Sequence, residues 1–249
     1  MQMPDLQTIA ISFSAVLLGG VLKGATGAGA PVVGVPILSL FFGVPFAVSV
    51  FVVSNLVSNI WQGWQFRAHL ASPRFTLIFA GAGAVGAGVG SLMLAFLPAE
   101  MLMLMVAVIV LAYIGFRIVR PGWQLAQNAA NRLVGPVGFL GGILQGAGGV
   151  SAPVSVTFLN AMRLPRPQFI VTISLFFFMM SVVQIPALWS LGVLTGERTL
   201  IGFLTLVPIF GGIAIGQWLA ARLPAQAFDR VTLLLLFAIS LKLIWGAVV

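Results

Sequence analysis

Two glycine-rich segments contain the residues of this chain that are best suited to bind a ligand. GGVLKGATGAGAP occupies residues 19–31 and includes Lys23, and GGILQGAGGVSAP occupies residues 141–153. Glycine inside a helix costs about 1 kcal/mol relative to alanine, so five glycines in each segment favour a break. Pro31 and Pro153 suit the first turn of the helix that follows. Free N–H groups at those helix starts, together with the ammonium group of Lys23, favour an anion.

A polar stripe follows the first segment. It consists of Ser54, Asn55, Ser58, Asn59 and Gln62. These residues recur every three or four positions and therefore share one face of a helix. Polar groups facing lipid are costly, so we expect the stripe to face protein or a water-filled path. Hydrogen bonding between helices and lining of a pathway both remain open.

The composition is that of a membrane protein. Of the 249 residues, 60% are hydrophobic and only 6% are charged, against roughly 25% charged in soluble domains. Apolar runs long enough to cross a bilayer recur along the chain, without the alternation of an outer-membrane barrel. We predict an all-α polytopic membrane protein.

The remaining composition excludes several classes of function. The basic residues lie singly or in pairs at the ends of apolar runs, as in membrane proteins, so we expect no nucleic-acid partner despite the net charge of +8. The chain has no cysteine and one histidine, His69, so we expect no metal site and no cofactor. The four acidic residues lie at the ends of apolar runs or in loops. We expect no enzyme, because an intramembrane enzyme needs a base beside a nucleophile, and His69 is alone in a basic loop with no carboxylate at its depth.

The two halves of the chain resemble each other in sequence. A constant offset matches Gly19 with Gly141, Gly24 with Gly146, Pro31 with Pro153, Pro45 with Pro167, and Gln62 with Gln184. We interpret this as an internal duplication, and each half is predicted to hold a glycine-broken hairpin followed by three transmembrane helices.

The first repeat, residues 1–120, is predicted to contain a hairpin at 6–43 and helices at 46–66, 74–97 and 100–118. A cytoplasmic linker at 121–133 precedes the second repeat, residues 134–249, with a hairpin at 134–164 and helices at 168–192, 199–221 and 225–246.

Charge indicates how the hairpins lie in the membrane. If both return to the side on which they start, one face collects Arg67, Arg74, Arg117, Arg120, Arg132, Arg163, Arg166, Arg222 and Arg230. The other face then holds Asp5, Glu100, Glu197 and Arg198. The positive-inside rule assigns the arginine-rich face to the cytoplasm. The two repeats are then inverted, both termini are periplasmic, and the two hairpin tips are expected to meet near the membrane midplane.

Four motifs carry a family resemblance over essentially the whole chain. They are GATGAGAPVVGVPIL, FGVP and the pair Ser54–Asn55 in the first half, and GFLGGILQGAGGVSAP in the second. They resemble the TauE/SafE family of membrane permeases, the sulfite exporters, which has a Thr-Asn pair where this chain has Ser54–Asn55. The resemblance implies transport of a small sulfur-containing anion, such as sulfite or an organosulfonate, across a bacterial inner membrane.

We therefore predict a secondary transporter or facilitator that binds its anion at the midplane between the two tips. Export is favoured, because a cytoplasm negative by 100 mV expels a monovalent anion with about 2.3 kcal/mol. The candidate binding residues are Lys23, Gly24, Thr26, Gly27, Ala28, Gly29, Asn55, Asn59, Gln62, Gln145, Gly148, Gly149, Val150, Ser151 and Gln184.

Some alternatives stay open. The protein could be an anion channel, or a non-transporting membrane subunit or assembly factor. Lys23 could snorkel to an interface, and the glycines could serve helix packing alone. The expected partners are the anion and the lipid bilayer, with a homodimer as a further possibility.

Overall fold

The computed structural model describes residues 5–120, 123–222 and 237, and its regular structure there is entirely helical. The helices are α1 (Leu6–Thr26), α2 (Ala30–Phe42), α3 (Val44–Gln65), α4 (Pro73–Phe96), α5 (Ala99–Val119), α6 (Gln127–Gly148), α7 (Ala152–Ala161), α8 (Arg166–Ser190), α9 (Gly196–Leu204) and α10 (Leu206–Ala220). Within these residues, six segments are long and apolar enough to cross a membrane. The prediction of an all-α polytopic membrane protein is confirmed.

Each glycine-rich segment joins a long helix to a short one. α1 has 21 residues and α6 has 22, whereas α2 has 13 and α7 has 10. At 1.5 Å per residue the long arms measure about 32 Å, enough to span a bilayer, and the short arms about 15–20 Å. The chain turns at Gly27, Gly29 and Gly149, whose φ angles of 86°, 111° and 69° favour glycine.

The prediction that the helix breaks at the first glycines is wrong, because α1 continues through Gly19, Gly20 and Gly24 to Thr26. Each of these three glycines packs against the backbone of another helix, and this close contact outweighs the poor helix propensity of glycine. A methyl group at Gly19 would lie 2.5 Å from the carbonyl oxygen of Ala30, the first residue of α2. The chain therefore doubles back at the tip.

The second hairpin begins earlier than predicted. α6 starts at Gln127, inside the predicted linker at 121–133. The side chain of Gln127 donates a 3.0 Å hydrogen bond to Asn131 within the first turns, so polar residues extend the helix ahead of its apolar run. The apolar run alone does not predict this extension.

The crossing predicted at 199–221 consists of two helices, α9 and α10, which meet at Thr205. Pro208 lies in the first turn of α10 and has no N–H to donate to the preceding turn, which accounts for the interruption. The helix predicted at 225–246, with Arg230, lies outside the described residues.

Helices α1 and α10 pack backbone against backbone. A methyl group at Gly24 would overlap the carbonyl oxygen of Ile213, and one at Gly212 would overlap the carbonyl oxygen of Leu17. Small residues permit this approach between membrane helices. The pair joins the first helix of the chain to a helix of the second half.

Helices α4 and α6 pack in the same way. A methyl group at Gly146 would overlap the carbonyl oxygen of Ala87, and one at Gly86 would overlap that of Phe139. These contacts repeat those of the α1–α10 pair at matched positions. The offset that relates the glycine-rich segments pairs Gly24 with Gly146 and Leu17 with Phe139, and alignment of AFLPAE with ARLPAQ pairs Gly86 with Gly212.

The antiparallel helices α3 and α8 lie at the centre. They are the most buried of the six spans, because 72% of the residues in the α3 span and 61% of those in the α8 span are buried inside the protein. A Cβ at Gly63, near the end of α3, would lie 3.8 Å from that of Ser174, near the start of α8. Lys23 contacts both Asn59, which precedes Gly63 in α3, and Phe177, which follows Ser174 in α8. The two helices therefore run in opposite directions.

Candidate functional site

Lys23 lies on α1 with its ammonium group inside the protein. The residue is 1% exposed, and Nζ donates a 2.7 Å hydrogen bond to Oδ1 of Asn59 on α3. Nζ also lies 5.9 Å from the centre of the Phe177 ring on α8, a cation–π distance. Lys23 therefore points to the central helices and does not snorkel to an interface.

Asn59 links Lys23 to Asn55, one turn earlier on the same helix. Nδ2 of Asn59 lies 2.7 Å from the backbone oxygen of Asn55 and 2.7 Å from its Oδ1. Both asparagines are buried, at 1% and 3% exposure. The structure thus brings together three of the predicted site residues, and the polar stripe faces protein as expected.

No described carboxylate accompanies the Lys23 ammonium group. Asp5, Glu100 and Glu197, the acidic residues that the structure describes, lie immediately before a helix or in its first turn. A cation at membrane depth costs about 2.5–3.5 kcal/mol on insertion scales. An anion beside Lys23 would offset part of that cost.

Gln145 and Gln184 form a second polar group, between α6 and α8. Nε2 of Gln184 lies 3.5 Å from the backbone oxygens of Gln145 and of Gly146. The Oε1 atoms of both glutamines, and that of Gln62 on α3, are buried without a hydrogen-bond partner among the described residues. Since buried polar atoms are normally satisfied, these three acceptors suit a water molecule or another group that donates a hydrogen bond, and not an oxyanion.

The two hydroxyl groups predicted at the tips take part in local hydrogen bonds. Thr26 is exposed, and its Oγ1 lies 2.6 Å from the backbone oxygen of Ala28 and 2.8 Å from that of Leu22. Ser151 is buried, and its hydroxyl lies 2.9 Å from that of Ser155. Both hydroxyls stabilise the turns on which they lie.

The remaining predicted site residues are the small residues of the tips, and apolar side chains cover them. A Cβ at Gly27 would lie 2.6 Å from Cγ1 of Ile170, and one at Gly149 would lie 3.0–3.1 Å from Val35 and Val48. Ala28, Gly29, Gly148 and Val150 are buried in or beside the same turns, whereas Gly24 is buried inside α1 against the backbone of Ile213.

The expectation that the two tips meet is wrong. The first tip packs against Ile170, at the end of the central helix pair where Gly63 contacts Ser174. The second packs against Val48, about 22 Å away from Gly63 along α3. The tips lie apart because α1 and α6 are full-length helices that place their ends near opposite ends of α3 and α8.

Arg166 is a contact residue that the sequence analysis did not include in the site. Its Nη2 lies 3.3 Å from the backbone oxygens of Gly24 and Ala25, in the last turn of α1. A guanidinium group at that position complements the negative end of the helix dipole. The sequence does contain one signal for this residue. The two halves differ at this position, because the residue matched to Arg166 in the first half is Val44.

Comparison with known proteins identifies a family for this chain. The family model described as "Sulfite exporter TauE/SafE" matches residues 12–243. No curated protein and no solved structure matches the chain.

Proposed function

Because this chain belongs to the sulfite exporter TauE/SafE family, a family of membrane transporters, we propose that it carries a small sulfur-containing oxyanion across a bacterial inner membrane. The substrate is sulfite or an organosulfonate, and the direction is export. The bound anion lies beside Lys23, between α1 and the central helices α3 and α8.

The observation that carries this proposal is the buried ammonium group of Lys23. Its described polar partner is the neutral amide of Asn59, and no described carboxylate lies in the interior of a span. The positive charge of Lys23 would be stabilised by an anion that binds beside it, and a transported anion can bind there reversibly. Packing of glycines accounts for the helix pairs, but not for a cation at their centre.

The contacts at matched positions support the proposal that the two halves are inverted repeats. The α1–α10 and α4–α6 pairs use corresponding glycines and corresponding partners. In each pair, a helix from one half of the chain packs on a helix from the other half. This arrangement suits a carrier, because transporters built from repeats expose their binding site to one side of the membrane by moving one bundle of helices against the other. Both termini are then periplasmic.

Flux measurements test the proposal. Liposomes that contain only this protein are loaded with sulfite, and its release is followed while a potassium diffusion potential is imposed. We expect saturable release that becomes faster when the interior is negative. Current that does not saturate would indicate a channel, and no release above that of empty liposomes would indicate a non-transporting subunit.

A further inference from the structure

Lys23, Asn59 and Asn55 form a hydrogen-bonded chain with a fixed direction. Nζ of Lys23 donates to Oδ1 of Asn59, and Nδ2 of Asn59 donates to the backbone oxygen and to Oδ1 of Asn55. An ammonium group only donates, and a backbone carbonyl only accepts. The Asn59 amide therefore has one possible orientation, with both N–H bonds directed at Asn55.

This arrangement leaves one donor of Asn55 unused. Its Oδ1 accepts from Asn59, so its Nδ2 lies on the other side of the amide. That Nδ2 is buried without a hydrogen-bond partner among the described residues, and Asn55 is 3% exposed. A buried donor without an acceptor costs free energy, so the site suits a ligand that supplies an acceptor.

The second half of the chain cannot form the same arrangement. The positions matched to Lys23, Asn55 and Asn59 hold Gln145, Phe177 and Ser181. Phenylalanine has no side-chain donor, and glutamine carries no charge. The fold thus has one such donor pair among its described residues.

We propose that Asn55 binds the transported oxyanion through Nδ2, in the same hydrogen-bonded chain as the ammonium group of Lys23, and that Asn59 is a positioning residue that contacts no substrate. This inference rests on the proposed function and changes the role expected of Asn59. The anion is held by one charged donor and one neutral donor, which suits a species with at least two acceptor oxygens.

The role of Asn55 is tested by the affinity of the purified protein for sulfite, measured by calorimetry. Asn55→Ala should weaken binding about tenfold, the loss expected for one hydrogen bond to a charged ligand. Asn55→Asp keeps an acceptor for Asn59 but replaces the proposed donor with a carboxylate that repels the anion, so we expect a loss of more than about 100-fold.

The matched control is Ser54→Ala. Ser54 is buried beside Asn55 in the sequence, and its hydroxyl donates to the backbone oxygen of Phe51 within α3. This variant should bind sulfite like the wild type. Thermal unfolding of each variant checks the fold, and Asn55→Asp carries the test if Asn55→Ala does not fold.

The role of Asn59 is tested in two backgrounds. In the wild type, Asn59→Ala should weaken sulfite binding about tenfold, because it releases both Lys23 and Asn55. In the double variant Lys23→Gln/Asn55→Ala, the same substitution should change the residual affinity by less than about twofold, because Asn59 then has nothing left to position. A tenfold loss in that background would show direct contact and overturn the positioning role.

The outcomes separate this inference from the proposed function. If wild-type protein binds neither sulfite nor an organosulfonate and carries no flux, both are overturned. If the wild type binds sulfite and both Asn55 variants bind it equally well, only the inference is overturned.

Discussion

Lys23 breaks the symmetry of the site, because Gln145 occupies the matched position in the second half. One full charge attracts a monovalent anion, and a second would hold it too tightly for release. The glutamine can donate a hydrogen bond without adding charge. At the scale of single residues, the two matched positions thus differ in one side chain, and that difference sets the charge of the proposed site.

Replacement of Lys23 by glutamine should weaken sulfite binding by roughly tenfold to a hundredfold, the 1.5–3 kcal/mol of a hydrogen bond to a charged group. Lys23→Arg should bind sulfite more tightly than Lys23→Gln does. It should release the anion more slowly than the wild type, because the rigid guanidinium group can hold an oxyanion through two hydrogen bonds. Calorimetry gives the affinities, and liposome flux gives the turnover. Unchanged affinity in Lys23→Gln would mean that the ammonium group does not contact the anion.

The sequence identifies Lys23, Asn55 and Asn59 as candidates, because a lone charge and a three- and four-residue spacing are visible without a structure. The sequence cannot show that Oδ1 of Asn59 accepts a hydrogen bond from Lys23. That contact depends on how α1 packs along α3, and the packing is set by side chains distant in sequence. For the same reason, the contact of Arg166 with the last turn of α1 cannot be predicted from the sequence.

At the scale of helices, glycine has two opposite effects in this chain. Gly27, Gly29 and Gly149 adopt positive φ angles and end helices, whereas Gly24 and Gly86 lie inside helices at close contacts. A high glycine content predicts that a segment contains a helix end or a close contact between helices, but it does not show which of the two applies at a given glycine. The lengths of α1 and α6, and hence the separation of the tips, could not be predicted because the partner helices decide them.

Two glycines of α4 offer a matched test of the close contacts. A methyl group at Gly86 would overlap the backbone of α6, whereas nothing lies within 4 Å of one at Gly81. Gly86→Ala should destabilise the protein by about 1–3 kcal/mol through overpacking, and Gly81→Ala should be neutral or slightly stabilising. Reversible unfolding in mixed detergent measures both.

The symmetry of the contacts extends this prediction. Gly212→Ala in α10 should destabilise the protein about as much as Gly86→Ala, because it meets the backbone of Leu17 in the corresponding way. Gly211→Ala is its neighbouring control, since the nearest atom to the added methyl group lies 4.0 Å away. Equal stability of the Gly86→Ala and Gly81→Ala proteins would contradict the packing argument.

At the scale of the whole molecule, the distribution of arginines and the doubled-back hairpins agree with one orientation. The arginine-rich loops share a face if both hairpins return, and the two halves are then inverted. Composition is sufficient to predict the membrane class, because it depends on totals along the chain, and the sidedness stays a prediction from charge. Composition and charge do not reveal which helix of one half packs on which helix of the other.

Cysteine labelling tests the orientation, and the cysteine-free chain gives a clean background. Arg67→Cys and Arg166→Cys should both be protected from a membrane-impermeant thiol reagent added to intact cells, while Glu100→Cys should be labelled. After cell lysis, the first two should react. Labelling of only one of the two arginine positions in intact cells would place them on opposite faces and contradict the hairpin interpretation.

The pairing of α1 with α10 also affects how the protein is made. At about 5–20 residues per second, a ribosome needs roughly 10–40 s to proceed from the end of α1 at Thr26 to the start of α10 at Leu206. During that time the glycine-lined face of α1 lacks its final neighbour, and Lys23 must be tolerated in the nascent membrane segment. Assembly of the proposed binding site therefore waits until α10 has been synthesised, and a ribosome that stalls before Leu206 leaves a product with an unpaired first helix.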